Sequence, residues 1–120
     1  MKIAISSSGN NLEAQVDPRF GRAKNFIVYD TETKEFSVIE NTQNLNAAQG
    51  AGIQSGQTVV AANVQVVLTG NCGPKAYVVL NQAEVKVFVG VSGTVQDTIN
   101  AYMAGELKPA ESANVQGHWM

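Results

Sequence analysis

Val64-Gln65-Val66-Val67-Leu68-Thr69-Gly70-Asn71-Cys72-Gly73-Pro74-Lys75-Ala76 is the stretch on which the fold turns. It opens as a short valine-rich apolar run, the pattern of a strand covered on both faces. Gly70 and Gly73 break the run, and Pro74 stands where proline is best tolerated, in the first turn of a helix. Ala76, Val79, Leu80 and Ala83 then fall at helical spacing. The reading is strand, glycine turn, helix. In open α/β sheets ligands gather at the carboxyl ends of strands, and this turn carries the chain's one cysteine and a lysine.

Working outward, the amino-terminal side reads as three strands. Lys2 to Ser7, with Ile3, Ala4 and Ile5 apolar on both faces, belongs in the centre of a sheet. Ser8-Gly9-Asn10-Asn11 ends it, and a loop with the turn signal Asp17-Pro18 runs to Arg22. Lys24 to Asp30 places Phe26 and Val28 on one face and Ile27 and Tyr29 on the other. After Thr31-Glu32-Thr33-Lys34, Glu35 to Glu40 pairs back as a hairpin. Phe36 and Val38 share one of its faces; the other mixes Glu35, Ser37 and Ile39, which suits an edge strand. Asn41 to Asn46 is a polar loop. Ala47 to Ala62 reads as a helix despite Gly50, Gly52 and Gly56, with Asn63 as its left-handed terminator.

On the carboxyl side, the helix from Pro74 to Gln82 leads into a strand over Val85 to Val89. Gly90-Val91-Ser92-Gly93 turns the chain, and Thr94 with Asp97 has capping-box spacing. Val95, Ile99, Tyr102 and Met103 form one apolar stripe, closed by Gly105 with Pro109 beyond. The order β, β, β, α, β, α, β, α with right-handed crossovers predicts an α/β fold. Its mixed five-stranded sheet has order 3-2-1-4-5, with helices on both faces, a ribonuclease-H-like topology.

Composition narrows the function. A chain of 120 residues makes one domain, expected over 1–108, with a mobile tail over 109–120. Only 15% of residues are charged and the net charge is −2, which argues against general attraction to nucleic acid. One cysteine supports neither an internal disulfide nor a four-thiolate metal site. With no leader pattern before Lys2 and no apolar run near ~18 residues, a soluble cytoplasmic protein is expected.

Three loops converge at the ends of the first, fourth and fifth strands: Ser6 to Asn11, Gly70 to Pro74, and Gly90 to Thr94. Two of them lead into helices, whose first N–H groups and partial positive charge favour an anion. Arg19 and Arg22, the only arginines, flank Phe20-Gly21 just before the second strand and can reach the same rim. The picture is a binder of a small anion; the plainer alternative is that the arginines pair with Asp17 or Glu13 and anchor the loop. Lys75 works against its helix dipole, so it is either placed for function or an ordinary surface lysine. Phe20 has the character of a core plug beneath the loop.

Cys72 invites two readings. A lone cysteine is usually a small apolar residue, whereas a glycine turn at a helix start exposes a thiol and lowers its pKa, giving a metal ligand or reactive thiolate. His118, the only histidine, is a second candidate ligand on the tail, beside Trp119. Enzymatic readings lack their residues. Lys2 to Ser7 has no carboxylate of the kind a ribonuclease-H nuclease needs, and no P-loop or dinucleotide fingerprint is present. Ser6-Ser7-Ser8-Gly9-Asn10 weakly suggests a flavin phosphate loop, which keeps a flavin or nucleotide module as an alternative.

Five segments in register resemble the dinitrogenase iron–molybdenum cofactor biosynthesis family. They are Met1 to Ile5, Phe20-Gly21-Arg22-Ala23, Gly73 to Ala76, Gly90-Val91-Ser92-Gly93-Thr94-Val95, and Tyr102 to Leu107. The resemblance implies a ribonuclease-H-like fold and a non-catalytic carrier or store for an anionic metal–sulfur cluster containing molybdenum with copper or iron. Such a cargo brings its own sulfides and needs cations and N–H donors, not many thiolates. The match implies a binding role for Phe20, Gly21 and Arg22, for the Gly73–Lys75 turn next to Asn71, and for Ser92, Gly93 and Thr94. Some relatives have histidine near the Phe-Gly motif where this chain has Arg19 and Arg22, so charge pairing replaces histidine ligation here. It also implies partners: a cluster-assembly ATPase, which the chain would serve as a regulator in a third reading, or a recipient metalloprotein.

Overall fold

The computed structural model describes residues 1–41 and 50–110. Eight elements follow in chain order: β1 (Lys2–Ser7), β2 (Asn25–Asp30), β3 (Phe36–Glu40), α1 (Ala51–Ala61), β4 (Val66–Leu68), α2 (Pro74–Gln82), β5 (Lys86–Phe88) and α3 (Val95–Met103). They build one five-stranded sheet in the order β3-β2-β1-β4-β5, as expected. β1 pairs antiparallel with β2 and parallel with β4, and β5 lies parallel beyond β4.

Alternation along the strands divides the core in two. Ala4, Phe26, Val28, Val67 and Val87 face α1 and α2, where Val59, Ala76 and Leu80 meet them. Ile3, Ile5, Ile27, Val66, Leu68 and Phe88 face α3, through Val95 and Ile99. Burying a side chain of this size stabilises the fold by about 1.5–3 kcal/mol relative to leaving it exposed. Both helices flanking β4 start at the carboxyl end of the sheet. Gly56 in α1 packs on Val79 and the Ala76 carbonyl in α2. Gly56 and Val79 each lie five residues beyond their helix start, so the two helices, which both run back from the carboxyl end of the sheet, begin at a similar height.

Several local signals act as expected. Thr94 and Asp97 form a full capping box, and Asn63 ends the turn after α1 at φ 60. The described part of α1 begins after Gly50, at φ 80; the expected helical residues 47–49 lie outside the described residues. Gly56 makes close contact with α2, and Gly52 lies against the Gly21 backbone.

β3 departs from simple patterning. Its mixed face is the inner one, with Ile39 packed toward α1 and α2, while Phe36 and Val38 are 40% and 37% exposed. The α3-side core reaches only as far as Ile27 and Tyr29, so Phe36 and Val38 lie beyond the residues packed on α3. At the opposite edge, Pro109 bridges Phe88 and the Ala110 N–H donates to the Val87 carbonyl at 2.6 Å. The Tyr77 hydroxyl donates to Ala110 as well. Residues 111–120, with His118 and Trp119, lie outside the described residues.

Candidate functional site

The loop between β1 and β2 determines what the strand-end rim can do. Its backbone crosses the carboxyl ends of all three parallel strands. The Ser8 N–H donates to Gln15 and the Val16 N–H to Gly93, while the Asp17 N–H donates to Ser6 at 2.9 Å. Farther along, Arg19 bridges Asn71, and the Phe20 N–H donates to the Asn71 carbonyl at 3.2 Å. The Asn71 side chain donates in turn to the Pro18 carbonyl at 3.1 Å. Beneath, two buried hydroxyls join the strand ends, Ser6 Oγ lying 2.8 Å from Thr69 Oγ1 and donating to the Asp17 carbonyl.

Residues 19–22 therefore lie across the first turns of α1 and α2. Arg19 sits beside the β4–α2 turn, and the Gly21 backbone presses on Ala51 and Gly52; a Cβ there would stand 2.9 Å from the Gly52 backbone. Phe20 is fully buried against Phe26 at 5.1 Å between ring centroids. Its side chain fills the core, and what Phe20 and Gly21 bring to the rim is backbone. Asn41 and Ser55, both fully buried, hold the segment from below. Asn41 Nδ2 donates to the Ala23 carbonyl at 2.9 Å, and Ser55 Oγ donates to the Gly21 carbonyl at 2.9 Å.

The two arginines differ. The Arg19 guanidinium reaches only 4.0 Å from Asp17 and stays 48% exposed. That is the contact the plainer reading anticipates, but it is long, and exposed pairs are worth about 0–1 kcal/mol. Asp17 Oδ1 is also engaged by the Arg19 N–H at 3.0 Å. Arg22 is half-buried next to the start of α1. Lys75 is exposed in the first turn of α2.

Helix ends are where expectation and structure part. α3 leads from Ser92-Gly93-Thr94, but its first N–H groups are consumed: Val95 donates to Ala14, Gln96 to Leu12, and Asp97 to Thr94 Oγ1. The Thr94 N–H donates to the Asp97 carboxylate. The chain's own loop has taken the place of an anion there. At α2 the Lys75 and Ala76 N–H groups meet no acceptor among the described residues, and at α1 the same holds for Ala51, Gly52 and Ile53. The start of α1 at this rim was not read from the sequence. Its signal is the small-residue spacing Gly52, Ser55, Gly56, which lets a helix approach a neighbouring backbone closely.

Cys72 corrects the expectation of an exposed, acidified thiol. It is fully buried in the α1–α2 core, and burial pushes its thiol up to about 12. Desolvation by the surrounding apolar side chains outweighs the nearby helix start. Among the described residues no three of His, Cys, Asp and Glu come together as a metal-holding group. No described helix is long and apolar enough to cross a membrane.

The mixed sheet, its three helices and the loop that crosses the strand ends define a small α/β domain. Residues 1–105 match the dinitrogenase iron-molybdenum cofactor family, and the chain belongs to that family. It is similar to the apo form of the orange protein from Desulfovibrio gigas, with 34% identity, a TM-score of 0.93, and 95% and 96% of the two chains covered. A NifB candidate from Thermotoga is 37% identical with a TM-score of 0.84, covering 97% of this chain and 98% of that one. An uncharacterized protein of Methanocaldococcus jannaschii is 31% identical over 114 residues, 92% of each chain.

Proposed function

We propose that this protein is a non-catalytic cytoplasmic carrier or store of an anionic metal–sulfur cluster containing molybdenum with copper or iron. It would receive this cargo from, or pass it to, a partner in cluster assembly. The observation that carries the reading is the position of residues 19–22 across the starts of α1 and α2. Arg19, Arg22 and Lys75 supply positive charge around N–H groups of Lys75, Ala76, Ala51 and Gly52 that meet no acceptor among the described residues.

The donor set suits such a cargo. Lys75 is exposed in the first turn of α2, and its N–H, which meets no acceptor among the described residues, is a donor for an incoming sulfide or oxide. A cluster with its own sulfides leaves the protein to provide charge-assisted hydrogen bonds, not thiolates. Cys72, neutral and buried, has no ligand role in this reading. Gly93 and Thr94 act indirectly, their backbones holding the loop that carries Arg19 through Val16 and Gln15; Ser92 has no direct part in this reading.

The test is anaerobic uptake of tetrathiomolybdate with copper(I), followed by visible spectroscopy and elemental analysis. Arg19→Ala/Arg22→Ala should weaken uptake about tenfold or more, since each charge-assisted contact is worth about 1.5–3 kcal/mol. Unchanged uptake by the double variant would remove the arginine rim from the account. A flavin spectrum on the purified protein would favour a nucleotide module instead.

A further inference from the structure

β3 ends the sheet, and its ladder with β2 fixes which backbone groups face outward. The Asp30 N–H donates to Glu35 and the Asn41 N–H to Lys24, so odd-numbered residues of β3 bond to β2. The N–H and C=O groups of Phe36, Val38 and Glu40 consequently point away from the sheet. Edge strands are commonly blunted by proline, bulges or inward charges. Within Phe36–Glu40 β3 has none of these: its register with β2 is unbroken, and its one charge is Glu40, at the end; the bulge at Lys34, with φ 64, lies before it in the hairpin turn. The other edge of the sheet, by contrast, is bridged by Pro109 and Ala110.

We propose that β3 is a self-pairing edge through which two copies of this chain join antiparallel into one continuous sheet. Phe36-Ser37-Val38, at the heart of the strand, is self-complementary about Ser37. With a two-fold axis there, Phe36 faces Val38 of the second copy twice, an aromatic–β-branched pair of the favourable kind. This register also brings the outward-pointing groups of Phe36 and Val38 together, so the backbone bonds and the side-chain pairs agree. An axis through Val38 would set Glu40 against Phe36 and lose that agreement. β3 runs parallel to β1, so the two arginine rims point to opposite ends of the joined sheet and both stay open.

Light scattering over a concentration series tests this, together with cross-linking of Ser37→Cys. In the proposed register Ser37 meets its own copy in a non-hydrogen-bonded pair, about 4.5 Å between Cα atoms, within disulfide range. Cys72 is buried and does not compete. Expected results are a concentration-dependent dimer and rapid disulfide formation at position 37, faster than in a Glu106→Cys control. Val38→Pro removes only an outward N–H and should leave a folded monomer, as checked by circular dichroism. A monomer at every concentration, with Ser37→Cys no faster than the control, overturns the proposal.

Discussion

Gly70 lies directly beneath Pro18: a Cβ on Gly70 would fall 2.8 Å from the Pro18 Cα and 2.9 Å from its carbonyl oxygen. The strand carrying the organising turn and the loop carrying Arg19 therefore touch backbone to backbone. Asn71, the next residue, bonds both Pro18 and Phe20. The arginine segment is held by a missing side chain on one residue and an amide on its neighbour.

Gly70→Ala should consequently lift Pro18 and Arg19 from their seat. Overpacking of this kind costs about 1–3 kcal/mol, read as a lower urea midpoint at unchanged m-value. Thiomolybdate uptake should fall in the same variant even at temperatures where it stays folded.

Asn41 and Ser55 form a buried pair beneath Gly21, with Asn41 Nδ2 donating to Ser55 Oγ at 3.1 Å. Asn41→Ala leaves the Ala23 carbonyl short of a donor and should cost about 1–3 kcal/mol. Because the two residues share partners, Asn41→Ala and Ser55→Ala should be non-additive in a double-mutant cycle by at least 0.5 kcal/mol, as is typical within one network.

Thr94→Ala separates capping from cargo binding. Losing the Thr94 hydroxyl removes the acceptor of the Asp97 N–H, at a cost of about 0.5–2 kcal/mol for a typical cap. The N–H groups of α3 are used within the chain, so uptake measured well below the unfolding transition should stay close to wild type.

Cys72 gives a pH signature. Its folded thiol is raised to about 12 from an ordinary 9.0, so the unfolded chain ionises first as pH rises. The contribution to stability is complete below about 9 and is lost as pH climbs toward 12. Cys72→Ala should flatten that alkaline decline relative to wild type in urea titrations at successive pH values. Native protein should also react slowly with a thiol-specific disulfide reagent at pH 8 and rapidly once unfolded.

How far the sequence reaches depends on the kind of interaction. The two faces of β2 follow from alternation alone, Phe26 and Val28 against Ile27 and Tyr29. The Thr94–Asp97 box and the Asn63 terminator follow from side chains that bond their own neighbourhood. The loop over 8–22 joins the rest through backbone groups, as in Val16 to Gly93 and Phe20 to Asn71, and backbone bonding leaves no mark on residue type. For that reason the gathering of arginines at the rim was legible, and the capture of the α3 start by Ala14 and Leu12 was not. Cys72 illustrates a second limit, since its turn suggests exposure while its side chain points beneath α1 and α2 into the core.

The loop that crosses the three strand ends is one mechanical body. Its Leu12 and Ala14 carbonyls accept from Gln96 and Val95, while its other end carries Arg19 and Arg22. Any ligand that steadies the arginine end must also oppose local opening at the far end, because segments open in contiguous cooperative units. Amide hydrogen exchange at Val95 and Gln96 should therefore slow when cargo binds at α1 and α2. Those two amides would report occupancy from the opposite face of the sheet, without themselves touching the cargo.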